Sequence, residues 1–308
     1  MNIIITGCLG HIGSYIISNL SKINKLKKIY LIDKNTNNKI NTLFNLKTNK
    51  KIFYIHDDLL NPKKLFKIKN ISIVLHLASI TNAEVSLTNK RQYFENNLGC
   101  FKNVIKFCNM NNSKLIHISS TSIYGDQSEF VDENSKYIKP QSPYAKIKFL
   151  EEQMLKKNKK IKYVSLRFGT ICGYSLGMRF HTAINKFCLQ TILGEKITVW
   201  KTAIDQYRPY LSIDDAFKTI NFFIKKNLFP RDVFNVLSEN LTVRQIIRLI
   251  NKNGQKTSIK YVNSKIMNQL SYKVDKSKIE KLGIHLNSKI KKDINKTLKS
   301  LIKIKYAK

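Results

Sequence analysis

The sequence predicts an α/β protein in which a doubly wound parallel sheet carries helices on both faces. Three observations support this prediction. Short apolar runs alternate with amphipathic stretches through the first half of the chain, the runs are apolar almost throughout, and a glycine-rich turn joins the first run to the first amphipathic stretch. With 308 residues, 43% of them hydrophobic, the chain is long enough to bury a large core.

The apolar runs are the predicted strands. They cover residues 3–6, 28–33, 52–56, 73–78, 115–119 and 163–168, and a late run at 232–237 is predicted to return to the same sheet. Amphipathic stretches at 12–24, 95–109 and 144–155 are predicted helices. Near the C terminus, Ile294, Leu298, Leu301 and Ile302 recur at helical spacing and predict a terminal helix.

The glycine-rich turn has the pattern of a dinucleotide site. It directly follows the first strand and contains Gly7, Gly10, His11, Ile12 and Gly13. Glycines at this spacing allow a tight turn, a close approach of the backbone to a pyrophosphate and close helix packing, while the free amides of the helix N-terminus attract phosphate. Asp33 ends the next strand, where a carboxylate accepts hydrogen bonds from ribose hydroxyls and repels a 2′-phosphate. The turn and Asp33 therefore predict a Rossmann-type domain that binds NAD.

Two residues at the start of the helix at 144–155 have the spacing of an acid/base pair. Tyr144 and Lys148 stand four residues apart, so they project from the same face. A nearby ammonium favours the phenolate over the phenol. Tyr144 is then able to remove a hydroxyl proton while hydride leaves the same carbon for NAD.

A serine-rich segment follows the predicted strand at 115–119. Ser120 and Thr121 lie at the carboxyl end of this strand, which is where open α/β sheets place their ligands. A hydroxyl at this position hydrogen-bonds a substrate oxygen on which charge builds up. Ordinary turn chemistry is the alternative interpretation of the same residues.

The formal net charge of +35 raises the question of a nucleic-acid or anionic membrane surface. The lysines are spread along the whole chain and mixed with abundant Asn and Ile, which favours a compositional bias over a solvated surface. We therefore expect no nucleic-acid partner. No apolar run approaches the ~20 residues of a membrane span, and Met1 and Asn2 lead straight into an apolar strand rather than an export signal. The expected location is the cytoplasm.

Cysteines and histidines give no pattern of a metal site. The five cysteines include no CxxC pair, and the six histidines include no HxxxH pair. We expect no metal, and we expect the thiols to be buried and free.

Together these features resemble the extended short-chain dehydrogenase/reductase family, in its NAD-dependent nucleotide-sugar epimerase and dehydratase branch. The resemblance extends over essentially the whole chain. It is carried by TGxxGxxG at 6–13, Asp58-Leu59, His76-Leu77-Ala78-Ser79, Asn97-Leu98-Gly99, the segments 119–125 and 142–148, Leu166-Arg167-Phe168-Gly169-Thr170, Arg208-Pro209-Tyr210 and Asp214-Asp215.

The resemblance implies roles for individual residues. Tyr144 would be the acid/base, Lys148 would hold the nicotinamide ribose, and Ser120 would be the catalytic hydroxyl, with Thr121 as the second candidate. Cofactor contacts would include the adenine partner Asp58 and also Leu59, Ala78 and Asn97. Substrate contacts would be Arg208 on the diphosphate and Asn185 at the nucleotide end. The resemblance also implies a homodimer.

The same resemblance predicts two parts of the chain. Residues 1–168 would form the NAD-binding Rossmann domain, to which 203–238 returns. Residues 169–202 and 239–308 would form a smaller C-terminal α/β part that binds the substrate, with the site in the cleft between the two parts.

The predicted function is an NAD-dependent epimerase of nucleotide sugars, acting at C4 through a keto-sugar intermediate. Dehydratases of this branch usually carry Asp or Glu where this chain has Thr121 and Ser122, which favours epimerisation or simple oxidoreduction. Two alternatives remain open at this point. One is an NAD-dependent reductase or dehydrogenase of sugar nucleotides, and the other is a non-catalytic NAD-binding scaffold that binds RNA.

Overall fold

A computed structural model describes residues 1–35, 39–44, 46, 48–82, 85–127, 130–252, 257–263 and 271–302. The strands in these ranges are β1 (Asn2–Thr6), β2 (Lys28–Asp33), β3 (Lys51–His56), β4 (Ile73–His76), β5 (Lys114–Ser120), β6 (Phe130–Val131), β7 (Tyr163–Phe168), β8 (Thr170–Cys172), β9 (Ile197–Trp200), β10 (Tyr207–Ser212), β11 (Asp232–Val236), β12 (Glu239–Thr242), β13 (Ile259–Val262) and β14 (Lys273–Val274). The helices are α1 (His11–Ser18), α2 (Val85–Thr88), α3 (Lys90–Asn111), α4 (Pro143–Lys157), α5 (Ala183–Ile192), α6 (Ile213–Lys226), α7 (Val243–Asn251), α8 (Ser277–Glu280) and α9 (Ile290–Ile302).

The central sheet has seven strands in the order β11-β7-β5-β4-β1-β2-β3, all parallel. Ile3 and Ile5 of β1 pack into one core cluster with α1 and α6, while Ile4 points to the other face and packs with α3. Helices therefore cover both faces, and the predicted doubly wound fold is confirmed. The strand order reverses between β1 and β4, which makes their carboxyl ends the expected ligand position.

All seven predicted strands are present, including the late run, which pairs with β7 as β11. The main difference is at β4, which ends at His76 rather than at residue 78. Beyond it, Leu77 donates to the Thr6 carbonyl at 3.1 Å, and both Leu77 and Ala78 donate to the Thr6 hydroxyl at 3.2 and 3.3 Å. The strand ends because these amides turn towards β1.

The predicted helices differ from the observed ones mainly at their ends. The first helix ends at Ser18 and the helix predicted at 95–109 begins at Lys90, whereas α4 matches its prediction closely. The predicted terminal helix is α9, in which Ile294, Leu298 and Leu301 are buried.

A smaller part packs beside the carboxyl ends of the central strands. It contains the three-stranded sheet β12-β10-β8, the pair β13-β9 and the helices α5, α7 and α9, which share one apolar core. The segment 203–238 contributes to both parts, because β10 pairs with β8 and β12 while β11 joins the central sheet. Residues 253–256, 264–270 and 303–308 of the predicted C-terminal part lie outside the described residues.

Within the described ranges, no helix is long and apolar enough to cross a membrane. All five cysteines are buried and free. No cluster of potential metal ligands occurs in the part of the chain that the structure describes.

Candidate active site

A cavity of about 1080 Å³ runs along the carboxyl ends of the central strands and into the smaller part. Its lining includes the glycine-rich turn before α1, the ends of β2 and β5, the start of α4 and the strand β10. The cavity therefore lies where the reversal of strand order predicts a ligand.

The glycine-rich turn is shaped for close contacts. Gly7 has a φ of +65°, and a Cβ there would lie 2.6 Å from the Ala78 nitrogen. A Cβ on Gly13 would lie 2.4 Å from the Cys8 carbonyl oxygen. The N-cap of α1 is Gly10, which has no capping side chain, so the first amides of the helix are open to a ligand. This turn fits a pyrophosphate.

Asp33 and Asp58 are two of the three carboxylates that line the cavity beyond this turn, among the described residues. Asp33 accepts hydrogen bonds from the amides of Leu9 at 3.0 Å and Asn35 at 2.9 Å, which hold its carboxylate at the end of β2. Asp58 accepts from the Leu60 amide at 2.9 Å and lies 3.8 Å from the Lys34 ammonium. Their positions fit hydrogen bonding to an adenosine ribose and base.

The cavity lining contains most of the predicted cofactor contacts: Gly7, Gly10, His11, Ile12, Gly13, Asp33, Asp58, Leu59, Ala78 and Lys148. Asn97 is not in the lining. Its side-chain amide accepts from the Ile80 nitrogen at 2.9 Å and donates to the Ile80 oxygen at 3.0 Å, so it braces the segment after β4. The neighbouring Asn96 lines the cavity in its place.

Tyr144 and Lys148 open on the same cavity, as their spacing predicts. Ser142 caps α4 by accepting a hydrogen bond from the Ala145 amide at 3.1 Å, and Pro143 occupies the first turn. The Lys148 nitrogen lies 5.9 Å from the centroid of the Tyr144 ring. The two side chains are thus neighbours on the same wall of the cavity.

Ser120 and Thr121 both line the cavity, but their hydroxyls differ in environment. Thr121 is buried and donates to the Phe168 carbonyl at 3.4 Å. The Ser120 hydroxyl lies 2.9 Å from the Ser122 hydroxyl and accepts from the Ser122 amide at 3.2 Å. Since the Thr121 proton is already used on the backbone, the geometry favours Ser120 as the hydroxyl that meets a ligand.

Lys148 is held by a buried polar chain that the sequence did not indicate. Its ammonium lies 2.8 Å from Glu151, which lies 2.9 Å from Nε2 of His117, whose Nδ1 lies 2.8 Å from the Ser165 hydroxyl. Burial lowers the pKa of His117, so this ring is neutral, with Nε2 donating to Glu151 and Nδ1 accepting from Ser165.

The opposite charges of Lys148 and Glu151 stabilise one another. Burial alone would lower the pKa of Lys148, but the attraction of Glu151 and Tyr144 outweighs it and raises that pKa. Burial alone would raise the pKa of Glu151, but Lys148 and the hydrogen bond from His117 lower it to about 2. Lys148 is therefore a fixed ammonium. The spacing of Lys148 and Glu151, one helical turn apart, is the only sequence signal that points to this pair.

Arg208, a predicted substrate contact, lies in the cavity wall with a buried Nη2 that has no hydrogen-bond partner among the described residues. Asn185, the other predicted substrate contact, is fully buried and does not line the cavity. It accepts from the Gly173 amide at 3.4 Å and donates to the Arg179 carbonyl at 3.0 Å, so it holds the loop before α5. Arg179 itself lines the cavity, and the sequence did not indicate it.

The sequence profile of the NAD dependent epimerase/dehydratase family matches residues 3–236. The chain belongs to this family. The predicted resemblance is thereby confirmed, and NAD is the cofactor on which members of the family depend. The glycine-rich turn, Asp33 and the open end of α1 supply the fit that this dinucleotide requires.

Relatives of this family member include an uncharacterised protein of Methanocaldococcus jannaschii, which is 30% identical and aligns over 91% of this chain and 90% of its own length. An uncharacterised UDP-glucose epimerase of Bacillus subtilis is 26% identical over 85% of each chain. Among solved structures, the UDP-glucuronic acid 4-epimerase of Bacillus cereus, in complex with UDP-glucuronic acid and NAD, is 25% identical, with a TM-score of 0.88 over 98% of this chain and 99% of that one.

Proposed function

We propose that this family member is an NAD-dependent epimerase of nucleotide sugars that inverts C4. One observation carries the proposal. Tyr144 and Lys148 face the same cavity as the cofactor turn, and the carboxylates that line this cavity, among the described residues, are Asp33, Asp57 and Asp58 at the ends of β2 and β3. A single acid/base beside the reacting carbon is sufficient for epimerisation, whereas dehydration needs a further group to remove the C5 proton. Similarity to the UDP-glucuronic acid 4-epimerase of Bacillus cereus supports the same reaction.

The chemistry follows from the position of each side chain. The glycine-rich turn and Asp33 would hold NAD, which would supply a reversible hydride acceptor for C4. Tyr144 takes the proton of the C4 hydroxyl as the hydride leaves, and gives the proton back when the hydride returns to the opposite face of the keto-sugar. Lys148 would hold the nicotinamide ribose and keep a positive charge close to Tyr144. Ser120 would donate a hydrogen bond to the C4 oxygen.

The nucleotide diphosphate would lie between Arg208 and the N-terminus of α5. The unpartnered Nη2 of Arg208 offers a donor to a phosphate oxygen, and guanidinium geometry suits this contact. Thr182 occupies the N-cap of α5 without making a capping hydrogen bond, which leaves this helix end open to an anion.

The test is product analysis. Purified protein is incubated with UDP-, GDP- and dTDP-sugars without added reductant, and products are followed by NMR beside the Tyr144→Phe variant. An epimerase yields a C4 isomer with the wild type alone and no net NADH. Stoichiometric change in the NADH pool would replace the proposal by the reductase or dehydrogenase alternative. A 6-deoxy-4-keto product would replace it by a dehydratase.

We also propose that the enzyme is a homodimer in the cytoplasm. The exposed Met110 on α3 and Leu150 on α4 are apolar side chains on two helices that pack together, which suits a self-association face. Five buried free thiols suit a reducing compartment. Light scattering of the purified protein checks the first point, and cell fractionation checks the second.

We propose that the lysine side chains behind the net charge of +35 form a solvated surface rather than a nucleic-acid site. The lysines are distributed over the whole sequence. RNA binding that weakens steeply with salt, with a slope equal to several phosphate contacts, would support the scaffold alternative instead.

A further inference from the structure

A buried carboxylate lies directly behind the lysine that faces the cavity. Lys148 lines the cavity, whereas Glu151, one turn further along α4, does not. The Glu151 carboxylate lies 2.8 Å from the Lys148 ammonium, and the side chains of Glu151 and Lys148 are 1% and 4% exposed. Because the opposite charge is fixed so close behind it, the ammonium presents only part of its field to the cavity.

The central sheet holds the carboxylate of Glu151 from the other side. Nε2 of His117, on β5, donates to it at 2.9 Å, and the Ser165 hydroxyl on β7 lies 2.8 Å from Nδ1 of the same ring. The His117 ring also packs on Phe101 of α3, with the two ring centroids 4.9 Å apart. Burial lowers the pKa of His117, so the ring is neutral. The group of Lys148, Glu151 and His117 therefore carries one positive and one negative charge, which offset each other.

The other carboxylates nearby do not take part in this balance. Glu152, the next residue of α4, accepts from Nε and Nη2 of Arg167 at 3.0 and 2.7 Å, and neither of these residues lines the cavity. In the described part of the chain, the carboxylates that do line the cavity belong to the ends of β2 and β3, which β4 and β1 separate from β5. Glu151 is therefore the anion that compensates the ammonium of Lys148.

The charge at this wall matters because the two forms of the cofactor differ in charge. The oxidised nicotinamide ring is a cation and the reduced ring is neutral, so a nearby ammonium disfavours the oxidised form. A compensated ammonium still offers its N–H donors but discriminates less between the two forms. This suits a cofactor that has to accept a hydride and give it back in one catalytic cycle.

We propose, resting on the proposed function, that Glu151 is a positioning residue that fixes the ammonium of Lys148 and sets the balance between bound NAD and bound NADH. Glu151 acts through Lys148, since its own carboxylate does not line the cavity. His117 holds the carboxylate in place from the sheet. Loss of the carboxylate charge would leave the ammonium uncompensated and would favour NADH over NAD.

The test measures the Kd of NAD and the Kd of NADH by calorimetric titration, after copurified nucleotide has been removed. In Glu151→Gln we expect the ratio of the Kd of NAD to the Kd of NADH to rise about tenfold above that of the wild type. The matched control is Glu152→Gln, which removes a buried carboxylate from the same helix, but one whose partner Arg167 does not line the cavity. Its ratio should stay at the wild-type value, because a purely structural loss weakens both nucleotides equally.

The double variant His117→Phe/Glu151→Leu keeps the test decisive if Glu151→Gln does not fold. It removes the same charge without leaving the His117 donor unpaired, and it should raise the ratio by a similar factor. A ratio within about twofold of the wild type in the folded variant would overturn the proposal, and so would an equal rise in Glu152→Gln.

Product analysis with nucleotide sugars separates this proposal from the proposed function, since the binding experiment needs no sugar substrate. A shifted ratio in a protein that forms no C4 isomer would contradict the reaction and leave the role of Glu151 in place.

Discussion

The ammonium of Lys148 lies 2.8 Å from the carboxylate of Glu151, and both side chains are buried within α4. This ion pair joins the catalytic helix to His117 in the central sheet. Removal of one partner of a buried pair leaves an uncompensated charge, which costs much more than removal of an exposed pair.

Glu151→Gln should therefore lower the free energy of unfolding by about 3–5 kcal/mol at neutral pH. Urea denaturation measures this loss. The matched control is Glu95→Gln, which removes the Arg91–Glu95 pair of similar length, 2.7 Å, on the exposed surface. Because both side chains of that pair are exposed to solvent, this change should leave the free energy of unfolding almost unchanged. Equal effects of the two substitutions would contradict a stabilising role for the buried pair.

The same pair predicts an acid dependence of stability. The pKa of Glu151 falls from 4.5 in the unfolded chain to about 2 in the folded protein. The ionised carboxylate therefore stabilises the folded protein fully above about pH 4.5, and this stabilisation is lost as the pH falls towards 2. The stability difference between wild type and Glu151→Gln should narrow over this interval. Urea midpoints at pH 5, 4 and 3 check it, and a difference that stays constant would argue against the lowered pKa.

Tyr144→Phe tests the proposed acid/base, because it removes the phenolic hydroxyl and keeps the aromatic ring. Because general acid–base catalysis contributes a factor of about 10²–10⁴, kcat should fall by that factor while NAD remains bound. Steady-state epimerisation rates and the cofactor content of the purified variant measure both quantities. A variant that keeps more than a tenth of the wild-type kcat would exclude Tyr144 as the acid/base.

Asp33→Asn tests the choice of cofactor. The carboxylate is held by the amides of Leu9 and Asn35 at the end of β2, where it would accept from the ribose hydroxyls. Loss of its charge should weaken NAD binding by about tenfold and narrow the preference for NAD over NADP, because repulsion of the 2′-phosphate is removed. Calorimetric titration of both dinucleotides checks this. An unchanged ratio of the two affinities would place cofactor selection elsewhere.

Gly177→Ala tests the contact between the glycine-rich turn and the loop that carries Arg179. A Cβ would lie 2.3 Å from the Leu9 carbonyl oxygen, so the loop must shift and binding of substrate and NAD should both weaken. The control is Gly99→Ala, where the near atom is the flexible end of Leu60, at 2.4 Å. Binding titrations of the two variants should separate them, and wild-type affinities in Gly177→Ala would show that this contact is dispensable.

Local signals were enough to predict the sheet, the glycine-rich turn and the shared face of Tyr144 and Lys148, which both line the cavity. Each strand is a short apolar run whose pattern depends only on neighbouring residues, and Tyr144 and Lys148 share a face through helical periodicity alone. The requirement for Gly7 is also local in part, since its φ of +65° disfavours a side chain. These features need no knowledge of distant partners.

The roles of Asn97, Asn185, Arg179 and Glu151 depended on the tertiary structure. The side-chain amides of Asn97 and Asn185 bond to the backbone of Ile80 and of Gly173 and Arg179, so these residues brace loops beside the cavity rather than line it.

The sequence by itself determined the fold class and the position of the glycine-rich turn, because these follow from short-range periodicity and spacing, and its motifs determined the family through resemblance. Only the tertiary structure decided which polar atoms stay unpaired in the cavity. Gly177 contacts Ser14 across 163 residues of sequence, and His11 contacts Gly173 across 162. Whether Arg179 faces a protein carboxylate or a ligand depends on such long-range contacts, since burial and pairing are properties of the packed molecule.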